Sequence, residues 1–342
     1  MKALVLEEYN RFVYKDVPEP VITCDEVLVE VKAVGICGSD VHGMDGSTGR
    51  RIPPVIMGHE ASGVIAEIGK NVTGWNVGDR VTFDSTIYKL DDWFTRNGHY
   101  NLSDNRLVLG VSCDEYRRDG AFAQYVSIPG HILYGIPDNV TFEQAAMAEP
   151  VAVALHAVNL SGVKINDASV VFGSGMIGLF IIQLLKLAGC YVIAVDMQQD
   201  KLDMAEKAGA DLILNSETDD IPCEIRKVTK NRGADFAFEA VGIAPTVNSA
   251  FESLRKGATL ILVGNLSPLT ELPLQKVVTR ELVIKGSCAI NGEYPAVLDL
   301  ISKGKINVDR MISKVAPLSD GALYFDKLYK KEGGLLKVIL KP

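Results

Sequence analysis

The sequence predicts a two-domain α/β protein, in which a mostly antiparallel β-domain is followed by a doubly wound parallel sheet. The chain has 342 residues, more than the ~100–200 that one domain usually holds. Its first ~145 residues combine short alternating apolar runs with frequent glycine and proline, which is typical of antiparallel strands and turns. After about Glu149, apolar strands alternate with helical patterns, which is typical of parallel strands joined by helices.

The β-domain is expected over residues 1–150. Residues 26–31 and 62–68 alternate apolar and polar side chains, as strands with one buried face do. After Gly286 the chain continues to its C-terminus and ends in an apolar run, residues 335–340, that has the pattern of one more strand. We therefore expect residues 287–342 to rejoin and complete the first domain.

The parallel sheet is expected over residues 151–286, where apolar strands and helices alternate. The expected strands are residues 169–172, 191–195, 212–214, 236–240, 259–263 and 282–285. The expected helices are residues 176–187, 201–208, 221–229 and 245–254.

A glycine-rich turn connects the first of these strands to its helix. Residues 173–178, Gly-Ser-Gly-Met-Ile-Gly, have the Gly-x-Gly-x-x-Gly spacing of dinucleotide-binding turns. Gly173 permits the tight turn, Gly175 lets the backbone approach a pyrophosphate, and Gly178 lets the helix pack close to the sheet. The amide groups at the helix N-terminus then face the phosphates.

An acidic residue at the end of the next strand indicates which dinucleotide is bound. Asp196 follows Gly178 by eighteen residues, and a carboxylate near this spacing accepts hydrogen bonds from the adenosine ribose. It repels a 2′-phosphate, and residues 197–199, Met-Gln-Gln, provide no arginine to hold one, so we predict NAD rather than NADP. The alternative is a structural turn without a cofactor, but strand, helix and acid in register favour the cofactor. The predicted cofactor-binding residues are Gly173, Gly175, Met176, Ile177, Gly178, Asp196, Val263 and Gly264.

Composition and charge argue against several classes of function. Forty-three acidic and 35 basic residues give a net charge of −8, which repels nucleic acid and anionic membranes. Aromatic residues make up only 7%, too few for a surface that stacks on single-stranded nucleic acid. Glu7 and Glu8 come before the apolar core of a signal peptide could form, and glycines interrupt the most apolar window, residues 168–187. We therefore expect a cytoplasmic protein whose partner is a small molecule.

Three separate segments carry side chains that can ligate zinc. They are Cys37 within residues 35–42 (Gly-Ile-Cys-Gly-Ser-Asp-Val-His), His59 and Glu60 in a Gly-His-Glu triplet, and Glu149 in a Glu-Pro pair. Zn²⁺ accepts sulfur, imidazole nitrogen and carboxylate oxygen, and a catalytic site leaves one position open. Alone, a Cys or His more often fills a core. Glycines beside Cys37 and His59, together with the dinucleotide turn downstream, favour a zinc site.

In order along the chain, these motifs resemble those of the zinc-containing medium-chain dehydrogenases, and within them the sorbitol (polyol) dehydrogenase branch. The similar segments are residues 35–42, the Gly-His-Glu triplet, residues 79–81 (Asp-Arg-Val), the Glu-Pro pair, the glycine-rich turn and residues 281–287. The resemblance implies a GroES-like β-domain that holds a catalytic zinc, with a Rossmann domain inserted before the C-terminal return. It also implies a homodimer or homotetramer, in which the strand at residues 282–285 pairs across a sheet edge.

The resemblance assigns zinc ligation to Cys37, His59 and either Glu60 or Glu149, with water or substrate completing the shell. Alcohol dehydrogenases usually have a second cysteine where this chain has Glu149, and a glutamate there is the polyol-branch pattern. A zinc ion lowers the pKa of a hydroxyl group that it binds, so a substrate hydroxyl can lose its proton near neutral pH.

The polar residues after Cys37 are candidates for moving that proton. Ser39 is placed to accept it, and His42 can pass it to solvent, since imidazole titrates near neutral pH. Glu60 is counted among the catalytic candidates as well as the ligands, and Asp40 is expected to hydrogen-bond a ligand, His59. An ordinary polar turn is the alternative for the residues around Ser39.

Relatives often hold a second, structural zinc with four cysteines. The corresponding positions in this chain are Lys89, Asp92, Thr95 and Ser103. None is a cysteine, so we expect one catalytic zinc per chain and no structural zinc, with residues 84–105 held by packing and hydrogen bonds.

Two basic pairs, Arg50-Arg51 and Arg117-Arg118, are candidates for contact with a phosphorylated or acidic substrate. A solvated loop or a subunit contact is the more ordinary interpretation of such pairs.

Together these features predict a zinc-dependent, NAD-linked dehydrogenase that oxidises a secondary hydroxyl of a polyol or sugar-like substrate to a ketone. L-Threonine and sugar phosphates also present a secondary hydroxyl, so dehydrogenases that act on them are alternatives. A zinc-free quinone reductase-like protein and a non-enzymatic NAD-binding scaffold are alternatives from other classes. The quinone reductase has no use for Cys37, His59 and Glu149 together, and in a scaffold a complete proton relay would be a coincidence.

Overall fold

The computed structural model describes residues 1–113 and 117–342. They divide into two compact units: residues 1–149 with 290–342 form the first, and residues 150–289 form the second. The first unit is built mainly on antiparallel strands and the second on a parallel sheet with helices between its strands, so the predicted fold class is confirmed. No helix in the described ranges is both long enough and apolar enough to cross a membrane.

The first unit consists mainly of strands. They are β1 (Lys2–Glu8), β2 (Arg11–Asp16), β3 (Glu26–Gly35), β4 (Val55–Ile56), β5 (Glu60–Ile68), β6 (Arg80–Phe83), β7 (Thr86–Ile87), β8 (Leu107–Val108), β9 (Tyr125–Pro129), β10 (Leu133–Gly135), β17 (Ile312–Pro317) and β18 (Lys337–Lys341). Its helices are α1 (Gly38–Gly43), α2 (Trp93–Arg96), α3 (Phe142–Ala146), α10 (Tyr294–Ser302) and α11 (Gly321–Tyr329), and α4 (Ala148–Ser161) begins in it.

The main sheet of this unit has the strand order β10-β6-β5-β3-β18-β17, and β9 also pairs with β3. β3 and β5 are antiparallel, with Gly35 opposite Glu60. The end of β3 therefore lies beside the start of β5. Cys37, two residues after β3, is thereby brought near His59 and Glu60.

The C-terminal strand β18 pairs with β3, with Ile339 opposite Gly35. Its apolar residues Val338 and Leu340 are fully buried and belong to the same hydrophobic cluster as Val29 and Val31 of β3. Burying an aliphatic side chain contributes about 1.5–3 kcal/mol, so these contacts hold the end of the chain in the first unit.

The second unit alternates strands and helices. The strands are β11 (Ala168–Phe172), β12 (Tyr191–Asp196), β13 (Leu212–Asn215), β14 (Ala234–Glu239), β15 (Leu254–Leu262) and β16 (Val283–Gly286). The helices are α5 (Met176–Leu187), α6 (Gln199–Lys207), α7 (Ile221–Val228), α8 (Ala244–Ser253) and α9 (Leu274–Thr279). The sheet order is β13-β12-β11-β14-β15-β16, and each pair is parallel. The glycine-rich turn thus follows a central strand, and β16 lies at an edge.

Candidate active site

Three side chains with metal-binding atoms converge beside the end of β3. Cys37 lies between β3 and α1, His59 precedes β5, and Glu60 is the first residue of β5. One donor atom of each, a sulfur, a ring nitrogen and a carboxylate oxygen, lies within 4.8 Å of the others. Zinc–ligand distances are ~2.0–2.3 Å, so one ion can bridge atoms at this spacing.

Glu149 faces the same cluster from the start of α4. Its buried carboxylate accepts a hydrogen bond on Oε1 from the hydroxyl of Ser85, at 3.0 Å. Burial raises the pKa of Glu149, the nearby His59 opposes that rise, and the charge of Glu60 adds to it. Glu60 is therefore one of the three converging metal-binding side chains, and Glu149 lies close enough to interact with His59 and Glu60.

A buried lysine completes this cluster, and the sequence did not single it out. Lys337 of β18 is 2% exposed, and its Nζ donates to Glu60 Oε2 at 2.5 Å and to the carbonyl of Ile36 at 3.0 Å. The sequence does contain a hint of this role. Lys337 is the one charged residue in the apolar run 335–340, and a lysine in a buried strand usually has an acidic partner.

The chemistry of these residues fits a zinc ion. Burial raises the pKa of the Cys37 thiol, the charge of Glu60 raises it further, and the Lys337 ammonium group opposes both. A divalent cation would favour the thiolate and carboxylates over their protonated forms. Sulfur, nitrogen and oxygen donors that lie this close together are a zinc-type ligand set.

The predicted proton-relay residues lie on α1. The Ser39 hydroxyl donates to Cys37 Sγ at 3.2 Å, and His42 is exposed one helical turn further on. Asp40 is fully buried, and its Oδ2 lies 3.6 Å from His59 Nδ1. The two groups face each other, but at this distance the hydrogen bond expected from the sequence is not formed.

The glycine-rich turn of the second unit has the geometry of a phosphate cradle. Gly173 has φ +92°, which favours glycine, and a Cβ on Gly178 would lie 1.8 Å from the carbonyl oxygen of Gly173. α5 begins at Met176 and Ile177, and its N-cap residue, Gly175, has no side chain to bond the free amide groups. A phosphate can accept hydrogen bonds from these amides.

Other features of the second unit also fit a dinucleotide. Ser174 is buried, and its Oγ has no hydrogen-bond partner within the described parts of the chain. Asp196 ends β12 and accepts bonds from the amides of Ser174 and Gln198, at 2.8 and 3.0 Å, which fixes its carboxylate beside the turn. Val263 and Gly264 follow β15, and their amides both bond the carbonyl of the last β14 residue.

Comparisons with known proteins agree with this geometry. Residues 23–138 match the alcohol dehydrogenase GroES-like domain, and residues 177–303 match the zinc-binding dehydrogenase family. The chain is 34% identical to D-arabitol-phosphate dehydrogenase of Enterococcus avium, over 97% of this chain and 94% of that protein. It is 33% identical to sorbitol dehydrogenase of Ovis aries, over 95% of this chain and 91% of that protein.

A solved structure extends the likeness to three dimensions. The crystal structure of a zinc-binding dehydrogenase from Sinorhizobium meliloti 1021 bound to NADP has a TM-score of 0.90 at 32% identity, covering 100% of this chain and 99% of that one. The chain belongs to the zinc-binding medium-chain dehydrogenases, in their polyol dehydrogenase branch. It is an alcohol or polyol oxidoreductase, as the sequence predicts.

In this dehydrogenase, the side chain of Asp92 connects two parts of the segment examined for a structural zinc, residues 84–105. Asp92 Oδ1 accepts the amides of Phe94 and Thr95 at the start of α2, at 2.9 and 3.2 Å. Asp92 Oδ2 accepts the amide of Asp104 at 3.2 Å. One carboxylate therefore ties the short helix to the returning chain, in a segment where the four candidate positions lack cysteine.

Two arginines of the basic pairs, Arg51 and Arg118, do not lie in solvated loops as the more ordinary interpretation of such pairs expects. Arg51 is 3% exposed, and its Nε and Nη2 donate to Asp40 Oδ1 at 3.0 and 2.7 Å. Arg118 donates to Glu26 and Ser127. Both arginines neutralise or bond groups of their own chain rather than lying in a solvated loop, because a carboxylate that folding buries requires a partner.

Proposed function

We propose that this dehydrogenase oxidises a secondary hydroxyl of a polyol or sugar-like substrate to a ketone, using one zinc ion and NAD. The observation that carries the proposal is the convergence of Cys37, His59 and Glu60 within 4.8 Å. The glycine-rich turn with Asp196 supports the cofactor, and the sorbitol and D-arabitol-phosphate dehydrogenases named above support the substrate class.

Cys37, His59 and Glu60 would hold the zinc, with Glu149 as a second carboxylate at the same cluster. When bound, zinc supplies a Lewis acid that lowers the pKa of a substrate hydroxyl. The Ser85 hydroxyl bonds Glu149 Oε1 and thereby fixes the direction of the other carboxylate oxygen. The Lys337–Glu60 ion pair limits the negative charge that the buried cluster presents.

Oxidation of the alcohol removes a proton from its oxygen and a hydride from its carbon. We assign acceptance of the proton to Ser39, and its transfer to solvent to the exposed His42 on the same helix. NAD, when bound, would supply the acceptor for this hydride and its two electrons.

Asp196 favours NAD over NADP. Its carboxylate is held at the glycine-rich turn by two amide groups, so it cannot swing away from a 2′-phosphate without losing those bonds. Repulsion between the two anions disfavours NADP. The Sinorhizobium relative was solved with NADP, which makes cofactor choice a property to be measured for this chain.

A sugar phosphate is the second candidate substrate, because D-arabitol-phosphate dehydrogenase is 34% identical to this chain. L-Threonine remains an alternative from the sequence. A zinc-free quinone reductase is disfavoured by the converging metal donors. The cytoplasmic location stays a prediction.

Steady-state assays test this function, with polyols, sugar phosphates and L-threonine each given NAD or NADP, and with a quinone given NADH or NADPH. We expect turnover of a polyol or sugar-like alcohol, with kcat/KM at least ~10-fold higher with NAD than with NADP. Equal efficiency with both cofactors would refute the role of Asp196. Turnover of quinone alone would refute the reaction class.

A further inference from the structure

We propose that Arg51 is a positioning residue of the zinc centre, which fixes the orientation of His59 through Asp40. The inference rests on the proposed function and deepens it. Among the residues that the structure describes, Arg51 donates to Asp40, Ser39 and the carbonyl of Arg50, and not to a predicted ligand.

The Arg51–Asp40 pair fixes one carboxylate oxygen. Both guanidinium bonds, from Nε at 3.0 Å and from Nη2 at 2.7 Å, go to Oδ1 of Asp40. The Arg51 side chain is 3% exposed and that of Asp40 is fully buried, so the bonds are formed away from water. Two bonds from one rigid guanidinium plane restrain rotation of the carboxylate.

The other oxygen of Asp40 is directed at His59. Asp40 Oδ2 and His59 Nδ1 are buried and 3.6 Å apart, and neither atom has a hydrogen-bond partner in the described chain. A carboxylate that faces Nδ1 favours the imidazole form with its proton on Nδ1. That form presents the lone pair of Nε2 to a metal ion, which is how outer carboxylates orient histidine ligands.

Arg51 also places a positive charge beside the buried carboxylate of Asp40. A buried carboxylate without a compensating cation is strongly destabilised, and it would turn toward water or another donor. Lysine could supply the charge but lacks the guanidinium fork that holds Oδ1 from two nitrogens. The geometry of Asp40, and not only its charge, therefore depends on arginine.

A second contact connects Arg51 to the other side of the centre. Its Nη2 lies 3.4 Å from the Ser39 hydroxyl, which in turn donates to Cys37 Sγ at 3.2 Å. One buried cation thus reaches the surroundings of two predicted ligands, His59 through Asp40 and Cys37 through Ser39.

Gly43 of α1 makes room for this arginine. A Cβ on Gly43 would lie 2.6 Å from Cγ of Arg51, closer than non-bonded carbons approach. Gly43→Ala therefore displaces the Arg51 stem without deleting the guanidinium group. It is an independent way to disturb the Arg51–Asp40 bonds.

Cobalt(II) binding to the metal-free full-length chain tests the proposal without measuring turnover. Absorption spectra report the thiolate–cobalt bond, and titration gives the Kd. We expect Arg51→Gln to raise the Kd for cobalt about 10-fold or more and to change the spectrum, as loss of an outer partner does at other metal sites. Arg51→Lys should restore part of the affinity, and Gly43→Ala should weaken binding in the same direction.

Two comparisons separate positioning from general stability. Arg118→Gln removes another arginine–carboxylate pair, with Glu26, and should leave the cobalt Kd and spectrum unchanged. In the Asp40→Asn background, Arg51→Gln should add little further loss, because its effect acts through Asp40.

The outcomes distinguish this inference from the function on which it rests. Failure of the unmodified chain to bind cobalt through Cys37 would overturn the proposed zinc centre, and with it the role of Arg51. Binding by the unmodified chain, with the same Kd and spectrum in folded Arg51→Gln, would overturn the positioning role alone. If Arg51→Gln does not fold, Arg51→Lys and Gly43→Ala decide the question by the same two readouts.

Discussion

Asp84, a buried carboxyl group in the first unit, makes stability depend on pH. It accepts bonds from the Tyr100 hydroxyl at 2.6 Å and the Thr86 amide at 2.8 Å. Burial nevertheless raises its pKa from 3.8 to about 7. Between these values the folded chain keeps a proton that the unfolded chain releases, so stability falls as pH rises through this range and levels off above pH ~7.

Asp84→Asn removes this titration while keeping one oxygen for the Thr86 amide. Between pH ~5 and ~7 we expect the free energy of unfolding to fall by roughly 2 kcal/mol more in the unmodified chain than in the variant. One pKa unit is worth about 1.4 kcal/mol, and half of the folded molecules have already released the proton at pH ~7. Thermal unfolding across this range measures the difference. Parallel pH profiles for the two proteins would show that Asp84 does not titrate there.

Substitution of His42 tests the proposed path of the proton from Ser39 to solvent. Because the residue is exposed and lies outside the donor cluster, His42→Gln should retain zinc and NAD but lower kcat roughly 10–100-fold. The loss should shrink at high pH, where hydroxide replaces the relay. Full activity with an unchanged pH profile, or loss of zinc, would return His42 to a structural role.

Single residues of the site were predictable where their type carries chemistry in a local motif. Cys37, His59 and Glu60 stand in short glycine-flanked segments, and the structure brings them together. Lys337 was missed as a site residue because its partner Glu60 is distant in sequence, and Arg51 was considered only as half of a basic pair. Their separations from Glu60 and Asp40, 277 and 11 residues, are set by strand pairing and loop packing.

Among the secondary-structure elements, α2 depends most on a single side chain. α2 has four residues, none of them buried, and the Asp92 carboxylate caps two of its amides. Asp92→Ala should cost about 1 kcal/mol locally, as loss of an N-cap does, and should speed hydrogen exchange at Phe94, Thr95 and Asp104. Asp92→Asn, which keeps a capping oxygen, is the matched control.

Zinc content should stay at one ion per chain in Asp92→Ala, because the lobe has no thiolates. Unchanged exchange at all three amides would show that packing alone holds the segment. Two zinc ions in the unmodified chain and one in Asp92→Ala would show that Asp92 ligates a second ion.

The elements of the parallel sheet were the most predictable from sequence. The inner strands β11, β12 and β14 are largely buried and read as apolar runs. β11–β16 and α5–α8 lie at the predicted places, with ends shifted by a few residues. β15 begins earlier than expected, at Leu254, because α8 ends at Ser253 and the chain enters the strand directly. β17, α10 and α11, which lie in the C-terminal return to the first unit, were not predicted.

At the scale of the whole molecule, the free edge of β16 favours a dimer. Within residues 1–113 and 117–342, β16 pairs only with β15. Exposed apolar side chains lie on α9 and in the preceding loop. They include Leu269, Leu274 and Val278, which are 86%, 64% and 67% exposed. An edge strand with an apolar border readily pairs with a second copy of itself.

We therefore expect a homodimer or homotetramer in solution, and Val278→Asp should shift it toward monomer. Leu323→Asp, at an exposed apolar residue of α11 in the other unit, should leave the mass unchanged. Light scattering at micromolar concentration measures both. A monomeric unmodified chain would refute the proposed assembly.

The most direct test of the account compares zinc content, NAD binding and polyol oxidation in the unmodified chain and in Cys37→Ser. The proposed centre predicts one zinc per chain and polyol-dependent NADH formation in the unmodified chain. Cys37→Ser should lose the zinc and nearly all turnover yet still bind NAD, because the cofactor turn belongs to the other compact unit. Retention of both zinc and turnover by Cys37→Ser would contradict the account.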